Sequence, residues 1–128
     1  NLHGVLAIEL FLTESGSIYV NELAPRPHNS GHYSIEACNM SQFDAHIRGI
    51  CGWPIGDVAL LSPAIMVNIL GEEFERSYQQ ISQQPQWQFH YYGKGEAKTG
   101  RKMGHITITT NDLEQTKKEI DETNVWPN

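Results

Sequence analysis

Val20-Asn21-Glu22-Leu23-Ala24-Pro25-Arg26-Pro27-His28-Asn29-Ser30-Gly31-His32 is the stretch on which the reading turns. A strand-like run ends on a carboxylate, and two prolines then stiffen a loop carrying Arg26, His28, Asn29 and His32. Proline fixes its own φ and drives the preceding residue out of the helical region, so Ala24 and Arg26 are expected to be extended. A rigid loop dense in hydrogen-bonding side chains has the makings of an active-site wall.

Upstream, Val5–Leu12 and Ser17–Leu23 read as strands of a hairpin turning at Thr13-Glu14-Ser15-Gly16. Both faces are largely apolar, which predicts a sheet covered on both sides. Pairing Leu12 with Ser17 sets Glu9 opposite Val20 and Glu22 opposite Ala7, with the two glutamates diagonal on one face. Diagonal positions lie roughly 7 Å apart, within reach of one divalent ion. A carboxylate on an apolar strand face needs a cation or a positive partner. Glu9 and Glu22 are therefore candidate Mg²⁺ ligands. The plainer alternative pairs Glu22 with Arg26 and leaves Glu9 to solvent.

Downstream, Ser34–Cys51 carries a helical stripe (Ile35, Cys38, Phe43, His46, Ile47, Ile50) ending at Gly49 and Gly52. Gly52-Trp53-Pro54-Ile55-Gly56-Asp57 reads as a linker, which divides the chain into 1–52 and 53–128. The second part predicts a strand at Ala64–Leu70, a short helix at Glu72–Ser82 and a strand at Gln86–Tyr92. A strand at Gly104–Thr110 follows, with Ile106 and Ile108 inward and threonines outward. Asn111 or Asp112 then caps a helix through Glu122. The fold class is α+β: an antiparallel sheet with helix, then a small mixed β/α subdomain.

Bulk properties exclude several classes. With 128 residues, 39% hydrophobic and 19% charged, the chain can bury a core and is not disordered. A net charge of -6 argues against a general nucleic-acid or acidic-membrane binder. No apolar run nears the roughly 20 residues of a membrane helix. Cys38 and Cys51 fall outside any CxxC spacing and suit reduced thiols in a cytoplasmic protein. The chain opens without Met in an apolar strand, which predicts a piece of a longer polypeptide.

His28 and His32 have helical zinc spacing, but the intervening Asn29-Ser30-Gly31 follows a proline and supplies no third ligand. Ser30 lacks the strand-to-helix elbow of a nucleophile. Four of the nine basic residues cluster in 93–105. That cluster narrowly misses the phosphate-loop pattern and precedes a strand instead of a helix. Lys94 and Arg101 on a glycine-rich hairpin can still grip a phosphate through their side chains, the alternative being a solvated basic turn.

Glu9-Leu10-Phe11, the 21–32 run, Ser41-Gln42-Phe43-Asp44, Met66-Val67-Asn68-Ile69-Leu70-Gly71 and Gly100-Arg101-Lys102-Met103-Gly104-His105 follow one another in an order that resembles the ATP-grasp ligase family. The resemblance is to its carboxy-terminal metal-binding part, in the branch that carboxylates 5-aminoimidazole ribonucleotide in purine biosynthesis. It spans nearly the whole chain. It implies that ATP and bicarbonate form carboxyphosphate, whose carboxyl group passes to the ribonucleotide amine. It further implies that Glu9 and Glu22 hold Mg²⁺ on the ATP phosphates, and that Arg26 and His28 are catalytic beside bicarbonate. Asn29, Lys94 and Arg101 bind substrate, the last two at the 5′-phosphate, with His105 and Lys102 as weaker carry-overs. Many ATP-grasp enzymes place an asparagine ligand two residues after the second glutamate; here that position is Ala24, which leaves Asn21 or Asn29 as the third metal ligand.

The family's amino-terminal domain and nucleotide lid have no counterpart in these 128 residues, so the chain alone is expected to be inactive. The resemblance also implies small-molecule substrates, no nucleic-acid or membrane partner, and a homodimeric full-length enzyme. Two other readings stand beside it: a formate-dependent glycinamide ribonucleotide transformylase of the same pathway, and a non-catalytic binding or dimerisation module.

Overall fold

The computed structural model describes residues 1–126. The fold class is the expected α+β: among the described residues there are five strands in two antiparallel sheets, with four α-helices. Two compact units divide the chain, Asn1–Leu61 and the residues from Ser62 onward. The division falls after Leu61 rather than at Gly52, because the intervening segment is tied back to the first unit. Asn39 donates through Nδ2 to the Asp57 carbonyl (2.9 Å) and accepts at Oδ1 from the Ala59 N–H (2.8 Å). The Leu61 N–H reaches the Ala37 carbonyl at 2.7 Å.

The first unit begins with the hairpin β1 (Ala7–Leu12) and β2 (Ile18–Ala24). Its tip is one residue longer than expected. The Thr13 N–H donates to Ser17 O and the Gly16 N–H to Thr13 O, both at 2.9 Å. Gly16 sits at φ +82°, where only glycine is at ease. Ser17 therefore belongs to the turn, and Leu12 pairs with Ile18. The register then shifts again: Leu10 faces Val20, but Glu9 faces Glu22, and Asn21 is the extra residue of a β-bulge. The expected diagonal arrangement is thus replaced by direct opposition. Within the first unit the expected two-sided cover is not formed among the described residues, since Leu10, Leu12, Ile18, Val20 and Leu23 are all exposed.

The expected single helix over 34–51 is two. α1 (Ser34–Ala37) stops at Cys38, whose extended backbone bridges to Leu60. α2 (Gln42–Cys51) starts afresh from Ser41. The Ser41 hydroxyl accepts from the Asp44 N–H (3.1 Å) while the Asp44 carboxylate accepts from the Ser41 N–H (3.3 Å), a reciprocal capping box. Gly52 ends α2 in the left-handed region, with its N–H on the Arg48 carbonyl.

The second unit is a three-stranded antiparallel sheet in the order β3 (Ala64–Leu70), β5 (Lys102–Thr109), β4 (Gln88–Tyr91), with α3 (Phe74–Gln80) and α4 (Leu113–Glu122). Ile69, Trp87, Ile106, Ile108 and Ile120 form its core, flanked by Val67, Phe74 and Phe89. Asp112 caps α4 by accepting from the Gln115 N–H at 3.0 Å. Thr107, expected outward, is fully buried, because β5 is the central strand. Gly104 is required there: a Cβ on it would strike the His90 carbonyl of the neighbouring strand.

Candidate active site

The bulge at Asn21 puts Glu22 on the same face as Glu9. In a regular ladder Glu9 would face Asn21, and Glu22 would point to the other side. Two like charges directly opposed on a ladder repel, and three neighbours answer that field. The Asn21 amide donates to Glu9 Oε2 at 3.2 Å. The Arg26 guanidinium lies 3.8 Å from Glu22 Oε1. The His28 ring reaches both carboxylates, with Nδ1 3.4 Å from Glu9 Oε1 and Nε2 3.9 Å from Glu22 Oε1.

The proline loop delivers these groups by tight local turns. The Arg26 N–H bonds back to Ala24 O at 2.8 Å across Pro25, and its guanidinium donates to Pro27 O at 3.0 Å. Gln42, at the first turn of α2, grips His28 on both sides. Its Oε1 accepts the His28 N–H (2.9 Å) and its Nε2 donates to the His28 carbonyl (2.8 Å). The same Nε2 lies 2.8 Å from His32 Nδ1, and the His32 ring stacks on Phe43 at 5.4 Å. Asn29 opens a 3₁₀ turn, Asn29–Gly31, that His28 caps. The sequence gives Gln42 no role of its own; it stands there only as part of the Ser41-Gln42-Phe43-Asp44 run.

One ligand atom each from Glu9, Glu22 and His28 lies within 4.8 Å of the others. Carboxylate oxygens suit a hard cation such as Mg²⁺, which binds through one or two carboxylates and keeps several waters. The donor set fits such an ion, with the His28 ring as a third group beside the two carboxylates. His28 was expected only beside the arginine. Its placement against both glutamates comes from the bulge, which sequence pattern does not reveal.

In the second unit, Lys94 and Arg101 lie on the loop between β4 and β5. The Lys94 ammonium sits over the Tyr92 ring (5.1 Å) and donates to the Lys102 carbonyl (2.9 Å). Arg101 donates from its backbone N–H to Lys98 O (2.9 Å) and from Nη1 to Glu96 O (3.3 Å). The Tyr92 hydroxyl reaches Nδ1 of the buried His105 at 2.8 Å, and burial raises the phenol pKa, which keeps it protonated. His105 stacks on His90 with ring centroids 4.5 Å apart. A separate cavity of about 440 Å³ beside α4, lined by Trp87, Asp112, Gln115 and Glu119, holds none of the candidate residues.

Comparison with known proteins follows these two halves. Residues 1–43 match the ATP-grasp domain, and residues 64–119 match the phosphoribosylaminoimidazole carboxylase C-terminal domain. The first of these matches places residues 1–43 within the ATP-grasp domain family. The N5-carboxyaminoimidazole ribonucleotide synthase of Bacillus subtilis is 50% identical over 128 residues, all of this chain and 33% of that protein. Its counterpart in Staphylococcus saprophyticus is 50% identical over 118 residues, 91% of this chain and 32% of that one. The crystal structure of the Staphylococcus aureus synthetase superposes with a TM-score of 0.88 at 46% identity, covering 94% of this chain and 33% of that one. The Aspergillus clavatus synthase, solved with ADP and 5-aminoimidazole ribonucleotide, gives 0.86 at 42% identity, covering 94% and 34%. The chain thus spans about a third of the length of the curated relatives it matches. No helix among the described residues is long and apolar enough to cross a membrane.

Proposed function

We propose that this chain forms the metal and bicarbonate wall, and the ribonucleotide phosphate grip, of a carbon–nitrogen ligase that carboxylates 5-aminoimidazole ribonucleotide in purine biosynthesis. The observation that carries the reading is the direct opposition of Glu9 and Glu22, with Arg26 and His28 of one proline-braced loop against them. Glu9 and Glu22 would hold Mg²⁺, which when bound neutralises charge on the ATP phosphates and so favours phosphoryl transfer to bicarbonate.

The remaining roles belong to the chain's own side chains. Arg26 presents a planar, permanently charged fork to the oxygens of bicarbonate and of the carboxyphosphate made from it. His28, held at its backbone by Gln42, orients against the same oxygens. Asn29, next in the turn, contacts substrate oxygens. Lys94 and Arg101 bind the ribonucleotide's 5′-phosphate, which the ribose and the imidazole ring separate from the amine that is carboxylated. The two cations suit this task because neither forms an ion pair among the described residues. On this reading the first unit supplies the wall and the second the grip. The same reading carries a cytoplasmic location and a homodimer for the longer polypeptides.

The adenine site and lid would come from sequence outside these 128 residues, so the chain alone is expected to show no bicarbonate- and ribonucleotide-dependent ATP turnover. Robust turnover by the purified 128-residue protein would overturn that expectation. Mass analysis of the product of a longer polypeptide containing this sequence distinguishes a carboxylated aminoimidazole from a formylated glycinamide.

A further inference from the structure

We propose that Glu72 is a positioning residue that latches the Lys94–Arg101 loop in the shape that presents its two cations to a phosphate. This rests on the phosphate-grip reading and adds to it a residue that touches no substrate. Glu72 lies in the 3₁₀ turn Gly71–Glu73 that follows β3. Its two acidic residues have different tasks. Glu73 folds back on its own turn, with Oε2 accepting from the Leu70 N–H at 2.8 Å. Glu72 reaches across to the loop, where Oε2 accepts from the Gly100 N–H at 2.8 Å.

The loop has reason to need such a latch. Gly93, Gly95 and Gly100 all sit at positive φ (65°, 54° and 73°), so the free segment has a large conformational freedom to lose. Its internal bonds run from Lys94, Arg101 and Lys98 to neighbours within the hairpin. The Glu72 bond joins it to a different element. The approach is close: Gly71 has no room for a Cβ, which would strike the Lys98 carbonyl. The bonded N–H belongs to the residue immediately before Arg101, so fixing Gly100 fixes where the guanidinium begins. The Glu72 carboxyl is held below the usual carboxylate range by its own backbone N–H and that of Gly100, so it is a charged acceptor at neutral pH.

The test uses the 128-residue protein, with hydrogen exchange of the Gly100 amide as the latch readout and ribose 5-phosphate titration, followed by amide shifts at Gly100 and Arg101, as the grip readout. Losing a charge-assisted hydrogen bond predicts that Glu72→Ala speeds Gly100 exchange about tenfold or more and weakens the sugar phosphate about fivefold. Glu72→Gln, which keeps a neutral acceptor, should fall between. The Ile106 amide in the core reports general unfolding; if it also quickens in Glu72→Ala, the Gln variant decides. Unchanged Gly100 exchange overturns the latch. Faster exchange, with Lys94→Ala and Arg101→Ala binding the sugar phosphate as well as the parent, overturns the phosphate grip instead, and with it the role given to Glu72.

Discussion

Glu9 and Glu22 oppose each other directly in the β1–β2 ladder because Asn21 is an unpaired extra residue between Val20 and Glu22. Two carboxylates are thereby set against each other in a position that costs the isolated chain stability.

Glu22→Gln removes one of two opposed like charges. In chelator, thermal denaturation should show the variant equal to the parent or more stable by about 0.5 kcal/mol. Adding millimolar Mg²⁺ should raise the parent's melting temperature by mass action and leave Glu22→Gln and Glu9→Gln nearly unmoved. A parent that does not respond to Mg²⁺ would remove the metal site.

Gln42→Ala strips both partners from the His28 backbone. Leaving a part-buried N–H and C=O unanswered should cost about 1–3 kcal/mol in urea denaturation. Gln42→Glu keeps the acceptor but loses the donor, and should lie between the two.

Acid should loosen the start of α2. The Ser41 hydroxyl, then the Ser41 N–H, hold the Asp44 carboxyl below its ordinary value, with Arg48 adding to the effect. A depressed folded pKa means the stabilisation is complete above the ordinary carboxylate pKa, near 4, and fades as pH falls through the folded value. Ser41→Ala should cost about 1 kcal/mol at neutral pH and flatten the acid limb of a helix-CD titration. An unaltered acid limb would show that the cap is not the titrating element.

Ile106→Ala, at a fully buried position in the middle of β5, should cost about 2–5 kcal/mol through lost burial and the cavity left behind. Gly104→Ala should be at least as harmful as an ordinary overpacking change, about 1–3 kcal/mol, because the new methyl meets backbone rather than a movable side chain. Equilibrium denaturation followed by tryptophan fluorescence measures both, since Trp87 lies in the same core.

How much of this was legible depends on the range of the forces involved. Period-two alternation and the prolines mark the hairpin and the rigid loop, because those are local steric facts. A cap at Asn111 or Asp112 and the Ile106–Ile108 face were legible for the same reason; the structure settles the cap on Asp112. The register was not: one additional residue in the turn and one in β2 are invisible to a pattern that only counts alternation. The break between α1 and α2 hid behind an apolar stripe that runs on through Cys38, although Ser41 and Asp44 announce a new start. Thr107 was misplaced because only the strand order makes β5 central. Of the candidate residues, Glu9, Glu22, Arg26 and His28 come together in the structure, whereas the hydrogen bonds of Gln42, Tyr92 and Glu72 reach residues far along the chain, which local pattern does not register.

Trp126 gives the second unit a vulnerability. Its indole N–H lies 2.9 Å from the Asn68 carbonyl of β3, a strand whose seven residues include no charge and no proline. Losing the indole would strip that partner from the Asn68 carbonyl on an edge strand, a position suited to strand addition by another molecule. Affinity tags are therefore better placed at the opposite end, and soluble yield should fall first in proteins shortened past this tryptophan.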